Sequence, residues 1–360
     1  MQVQINLKNL AICLVGTFFV YLVYLLWGRG SASFNYNLWV DLKLLINYSV
    51  LAVEKGGLAV RLVQKEKSLQ SAVKSKTKEG RDEFVTRADL ISNQIMVDTF
   101  NRIPGIKIVS EEKEIVAESE LEKYRENNFQ TWQASQDILQ NVPSEKVLLS
   151  ELGIWIDPLD ATQEFTEDLL EYVTVMACIV VRGQPLFGVI YRPFAYETVW
   201  GLKEHGVYPK GYAAAADETE QSKVLVVSRS HAGGVAALAE YAFGKDAFKV
   251  EPAGGAGYKS LRVLNGTATL YLHQTAVKKW DVCAGDAIIR AAGGRMTTLR
   301  GQDLTYFPDD PQVVNEEGLL MTMKKSFSYL EKLRQPLQRL KLRQESATKK
   351  AKEETPSSSP

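Results

Sequence analysis

Apolar residues open the chain as one uncharged block, Leu10–Trp27 (LAICLVGTFFVYLVYLLW). At the α-helical rise this block spans about 27 Å, enough to cross a thin bilayer. Tyr21, Tyr24 and Trp27 collect at one end, where amphipathic rings sit at a membrane interface. Lys8 precedes the run and Arg29 follows it, so charge does not set its orientation. The pattern predicts a transmembrane anchor over 10–27 behind a short tail, 1–9. A cleaved signal peptide is the alternative, since Gly30, Ser31 and Ala32 follow, although an h-region is normally about 7–15 residues.

From Ser31 to about Gly80 the spacing turns helical. Leu38, Leu42 and Leu45 share one face, and Val50, Val53 and Leu58 continue it into a lysine-rich stretch. One long helix is expected there. Thr86 stands three residues before Asp89, ahead of Ile91, Ile95 and Met96, which signals a second helix start. Strands are expected at Ile106–Ser110, Leu152–Ile156, Tyr172–Val181 and Leu186–Tyr191, with helices near 232–243, 256–264 and 282–292. This mixture predicts a layered α/β (α+β) region over 31–340, in two lobes divided near 195–222. Beyond Lys341 no apolar period survives, so 341–360 reads as a disordered tail.

Composition narrows the chemistry. In 360 residues, 43 basic and 43 acidic side chains cancel, so no global charge steers the protein to nucleic acid or acidic lipid. The three cysteines, Cys13, Cys178 and Cys283, build neither a disulfide framework nor a zinc site by their spacing, and Cys178 and Cys283 read as core residues. With only three histidines, at 205, 231 and 273, metal chemistry must rest on carboxylates, which suits a hard cation such as Mg²⁺.

Three segments carry candidate chemistry. In Trp155-Ile156-Asp157-Pro158-Leu159-Asp160-Ala161-Thr162 a strand runs into a turn, and Pro158 keeps Asp157 out of helical geometry. Two acids converging there repel unless a cation sits between them. If a helix follows, the N–H groups of Ala161 and Thr162 face an anion. An Asp-Pro turn with a capping aspartate is the bland alternative. Glu111-Glu112 ends an expected strand, where α/β sheets place ligands, or it belongs to a solvated loop. Asp281 precedes an apolar helix as a ligand or merely as its N-cap.

In that order, Glu111-Glu112, Asp157–Thr162 and Trp280-Asp281-Val282-Cys283-Ala284 closely resemble the signature of the inositol-monophosphatase-like, lithium-inhibited phosphatases, over roughly 35–340. The wording around Asp157–Asp168, Ser228-Arg229-Ser230-His231, Ala253–Lys259 and Lys278–Asp281 is similar to the 3′-nucleotidase branch. The resemblance implies an αβαβα sandwich of the inositol monophosphatase and fructose-1,6-bisphosphatase kind. It also implies two or three Mg²⁺ ions held by Glu111, Asp157, Asp160, Asp281 and the carbonyl of Leu159, with Asp89 and Thr162 activating water. The substrate contacts implied are Ala161, Thr162, Ser228, His231, Gly255, Lys259 and Asp281. Lys259 offsets a second phosphate, while the glycines at 254, 255 and 257 let backbone approach a ligand or simply make a tight turn. Ser110 and Ala161 depart from the wider family, which often has glycine there.

The activity implied is hydrolysis of adenosine 3′,5′-bisphosphate to AMP and phosphate, clearing the by-product of sulfotransferases. The implied setting is the Golgi membrane, single-pass and type II, with the catalytic region lumenal and sequons at Asn47-Tyr48-Ser49 and Asn265-Gly266-Thr267. An inositol phosphate phosphatase is the enzymatic alternative. A degenerate membrane-bound scaffold is disfavoured because every expected carboxylate is present.

Overall fold

The computed structural model describes residues 15–21, 38–67, 70–76, 82–125, 129–140, 142, 144–213, 223–229, 232–324 and 326–353. Two units result, Met1–Leu38 and Trp39–Pro360. In the first, residues 15–21 are helical and exposed, and the rest of the expected anchor at 10–27 lies outside the described residues. No described helix is long and apolar enough to cross a membrane.

Five layers build the second unit. The outer layer holds the helices Leu42–Lys65 and Arg87–Phe100. They cover a six-stranded sheet ordered Gly206–Tyr208, Glu197–Leu202, Gln184–Arg192, Thr174–Val181, Leu152–Asp160 and Ile108–Ser110. Only the last pair in that sheet is parallel. The middle layer is Ala256–Leu264 with Lys279–Ala291. A five-stranded sheet follows, ordered Lys249–Ala253, Val224–Ser228, Leu270–His273, Leu319–Thr322 and Arg295–Thr297. Helices Ala232–Phe243 and Ser326–Glu353 close the far side.

The strand period of two sorts the core between layers. Ile154, Ile156, Ala177 and Val189 face the outer helices, whereas Trp155, Cys178 and Ile190 face the middle ones, where Val282, Ala284 and Ile288 meet them. Leu225, Val227, Leu270 and Leu320 form a third cluster under the far helices. Gly188 sets how closely the middle layer approaches, since a Cβ there would stand 2.3 Å from the Ala284 carbonyl oxygen.

Several expectations are corrected. The first helix stops at Lys65, and 72–76 with 82–85 form an antiparallel hairpin where the helical spacing had been extended to Gly80. Backbone 341–353 is helical, because Lys, Arg, Gln, Ala and Glu favour helix even without an apolar stripe; residues 354–360 lie outside the description. Cys178 and Cys283 are core residues, both nearly inaccessible, yet they are also bonded to each other, with Cα atoms 5.8 Å apart. Linear spacing could not bring that strand and helix face to face. In a chain-entropy account, closing a loop of 105 residues constrains the unfolded state by about 4–5 kcal/mol. Asn47 is an unsuitable glycan acceptor, being 4% exposed inside the first helix and accepting a hydrogen bond from Ser135.

Candidate active site

Leu152–Asp160 is buried along its whole length, and its register against Thr174–Val181 breaks between Asp157 and Asp160. Pro158 sits in that irregularity, just past the Asp157–Met176 pair, and cannot donate to the ladder there, while Asp157 lines the cavity. Ala161 then takes φ +71°, the left-handed conformation that glycine adopts most easily, and a short helix begins at Thr162.

Glu111, just past its strand, Asp157 and Asp281 each offer a carboxylate oxygen, and these oxygens lie within 4.8 Å of one another. Asp281 lies in the first turn of Lys279–Ala291, whose N-cap is Lys278, so Asp281 is not the cap. Burial raises the Asp157 carboxyl well above its ordinary range, and the charges of Glu111, Asp160 and Asp281 add to it. Asp281 is raised by burial and then by Glu111 and Asp160, against Lys278. A donor set of three carboxylates, with no sulfur or nitrogen ligand among them, fits a hard divalent cation.

Asp160 stands beside this trio. One oxygen accepts the Ala256 N–H at 3.0 Å, and the other accepts the Gly257 N–H at 2.8 Å and the Thr174 hydroxyl at 2.9 Å. It thus joins the first sheet to the N-terminus of a middle-layer helix, where free N–H groups favour an anion. Burial still raises its carboxyl, against Lys259 and those N–H groups.

Asp89 keeps its capping-box bond, accepting the Thr86 N–H at 2.8 Å, and also faces the Thr162 hydroxyl at 2.9 Å. That hydroxyl lies 3.1 Å from the Leu159 carbonyl. Burial pushes the Asp89 carboxyl up to about 7, with the Thr86 bond opposing and Glu111 adding.

Glu111, Asp157, Leu159, Asp160, Thr162 and Asp281 line one cavity of about 710 Å³, together with Ala161, Ser228, Gly255 and Lys259, while Asp89 is buried behind Thr162. Gly255 has φ +62°, and a Cβ there would meet the Tyr172 carbonyl oxygen at 2.7 Å. Lys259 is 3% exposed and donates to the carbonyls of Ala253, at 3.3 Å, and Gly255. Burial pulls its ammonium down to about 8, against Asp160, Glu164 and Asp281. His231 lies outside the described residues.

Other groups in the cavity were missed by sequence reasoning. Lys74, on the hairpin, pairs with Glu111 at 2.6 Å and with Glu112. Those carboxylates hold its ammonium above the ordinary range although burial opposes them. Glu83 on the same hairpin meets Lys278 at 3.0 Å. Arg229 ties Glu164 and Glu167 of the short helix to the second sheet. His273 and Thr275 line the wall behind Ser228. The helical spacing had been carried into the lysine-rich stretch that forms the hairpin, and no local motif marks His273.

The sequence profile of the inositol monophosphatase family matches residues 41–334. Inositol monophosphatase 3 of Danio rerio is 40% identical over 334 residues, 90% of this chain and 94% of that protein. The Golgi-resident adenosine 3′,5′-bisphosphate 3′-phosphatase of Homo sapiens is 40% identical over 293 residues, 79% of this chain and 78% of its own. An IMPase/NADP phosphatase solved with Mg²⁺ and phosphate shares the fold at TM-score 0.53 and 15% identity, over 76% of this chain and 89% of that one. With the acid cluster in place and a profile spanning most of its length, the chain belongs to the inositol monophosphatase family and is a phosphatase of that family.

Proposed function

We propose that this protein is a Mg²⁺-dependent phosphomonoesterase that removes the 3′-phosphate of adenosine 3′,5′-bisphosphate, giving AMP and inorganic phosphate. The observation that carries the phosphatase chemistry is the convergence of Glu111, Asp157 and Asp281 within 4.8 Å at the floor of the cavity. These residues, with Asp160 and the Leu159 carbonyl as further ligands, would hold the metal. When bound, it supplies Lewis-acid stabilisation of the phosphoryl oxygens and of the leaving oxygen.

The chain's own part is to hold and move a proton. The Thr162 hydroxyl donates toward Asp89 and keeps its lone pairs for an attacking water. A carboxyl at about 7 is suited to receive that proton at neutral pH. Water adds to phosphorus as the bond to the 3′-oxygen breaks, and the released alkoxide takes a proton from solvent. Ser228, His231, Gly255 and Lys259 provide the substrate side, Lys259 offsetting the charge of the second phosphate.

The bisphosphate reading is supported by the Golgi-resident 3′-phosphatase relatives, and the inositol phosphate reading by the relatives called inositol monophosphatase 3. Phosphate release from a panel of both substrate classes, with and without Mg²⁺, separates them. Preference for an inositol monophosphate overturns the nucleotide assignment; release unaffected by chelation overturns the metal.

Residues 10–27 are proposed to anchor the protein in the Golgi membrane with the catalytic unit in the lumen. The Cys178–Cys283 bond supports that compartment, because such bonds persist in oxidising environments. In sealed microsomes the catalytic unit should resist protease until detergent is added. Digestion without detergent reverses the topology.

A further inference from the structure

Ser228 ends its strand beside His273, which ends the next one; the two strands run parallel, with Leu225 opposite Leu270 and Val226 opposite Tyr271. Both side chains are half-buried and line the cavity. Ser228 Oγ lies 3.0 Å from His273 Nδ1, and His273 Nε2 lies 3.3 Å from the Ala276 carbonyl oxygen and 3.0 Å from Thr275 Oγ1.

The Ala276 carbonyl oxygen can only accept and the Thr275 hydroxyl can do either, so the neutral tautomer that satisfies both partners carries its hydrogen on Nε2. Nδ1 is then left with its lone pair, and the single hydroxyl hydrogen of Ser228 goes to it. What Ser228 presents to the cavity is therefore oxygen lone pairs and no hydrogen. A hydroxyl polarised this way accepts a hydrogen bond from a ligand and has no hydrogen left for a phosphate oxygen.

We infer that Ser228 and His273 together form a reader for a hydrogen-bond donor on the substrate, with Ser228 as the contact and His273 as the residue that positions its hydroxyl. The group read is a neutral O–H or N–H outside the scissile phosphate. On the proposed nucleotide substrate, on which this assignment of the ligand rests, such donors are the ribose 2′-hydroxyl and the exocyclic amine of the base. A site built around a committed acceptor rejects an analogue lacking the donor, because the acceptor is then left unpaired.

The test compares adenosine 3′,5′-bisphosphate with its 2′-deoxy analogue and with the analogue lacking the base amine. The wild-type protein should lose about tenfold in kcat/KM on one of the two, as expected for a single neutral hydrogen bond, and that analogue identifies the donor. Ser228→Ala and His273→Leu should each erase the discrimination. His273→Asn, which keeps an acceptor near the Nδ1 position, should restore it. The double variant S228A/H273L should be no worse than S228A, since His273 acts through Ser228.

Equal handling of all three substrates by the wild type overturns the reader. So does discrimination surviving in His273→Leu, or a double variant markedly worse than Ser228→Ala. If inositol phosphates prove the better substrates, the same variants are run on inositol 1-phosphate and its monodeoxy analogues. Discrimination that depends on both residues there keeps the reader and overturns only the nucleotide assignment.

Discussion

The two walls of the cavity are built differently. The floor comes from contiguous pieces of chain: Asp157 through Thr162 leave one buried strand, and Asp281 opens one buried helix. The opposite wall gathers Ser228, Gly255, Lys259 and His273 from two strand ends and the start of one helix. Where acids are packed together, burial raises them and their neighbours' charges add to it, as the carboxyls of Asp157 and Asp281 display. Where contacts are dispersed, as on this wall, they act singly or in small sets such as Ser228 with His273. Chemistry should therefore fail all at once on the floor, while selectivity should erode by degrees on the wall.

The hardest blow to the floor is Asp157→Asn. Turnover should fall by at least about a thousandfold, because the central acid of a cation site is lost. Melting in EDTA should show an intact fold, with a Tm no lower than wild type, since one buried like charge has gone. Retention of a tenth of wild-type turnover would falsify the metal-site assignment. The same chelated samples carry a pH signature. Acids whose folded pKa is raised stabilise the fold fully below their unfolded value near 3.8, and that stability drains away as pH rises through the folded value, about 7 for Asp89. Tm in EDTA should thus decline from about pH 4 to about pH 7, and added Mg²⁺ should reverse the decline. A flat profile would mean that these acids do not crowd one another.

Thr162→Val ranks next. It removes the hydroxyl that donates to Asp89 and is proposed to hold the attacking water, so kcat should drop by about a hundredfold while KM changes little. A change confined to KM would make Thr162 a substrate contact only. Lys259→Met is the mildest. The KM for the bisphosphate should rise about tenfold more than for a substrate carrying only the scissile phosphate, with kcat nearly unchanged. Equal losses on both would make Lys259 a support for Asp160 and the Gly255 turn, erasing the contrast between the two walls at this residue.

The same contrast explains what was legible in the sequence. Asp157–Thr162 and Trp280-Asp281 are short, local and chemically dense, so they survive being read as a string. Asp89 was readable twice over, as a capping-box acid and as a partner of Thr162, and it holds both positions. His273 carries no such signal, because its meaning comes from a carbonyl three residues on and a serine on the neighbouring strand. Strands of the second sheet, such as Leu270–His273 and Leu319–Thr322, span too few residues for a period to establish itself. The hairpin bearing Lys74 and Glu83 was absorbed into the preceding helical spacing, since its alternation is brief.

Cys283 lies two residues beyond Asp281 and is bonded to Cys178, on the strand paired with the one that carries Asp157. The spacing between two proposed ligands of one cation would thereby be gauged by a covalent rod as well as by packing. Protein made in a reducing cytosol would carry thiols there, and its metal pocket would rely on side-chain contacts alone to keep its width. Preparations that differ only in oxidation are accordingly different calipers for the same ion, and their metal affinities should be compared only after the thiols have been counted.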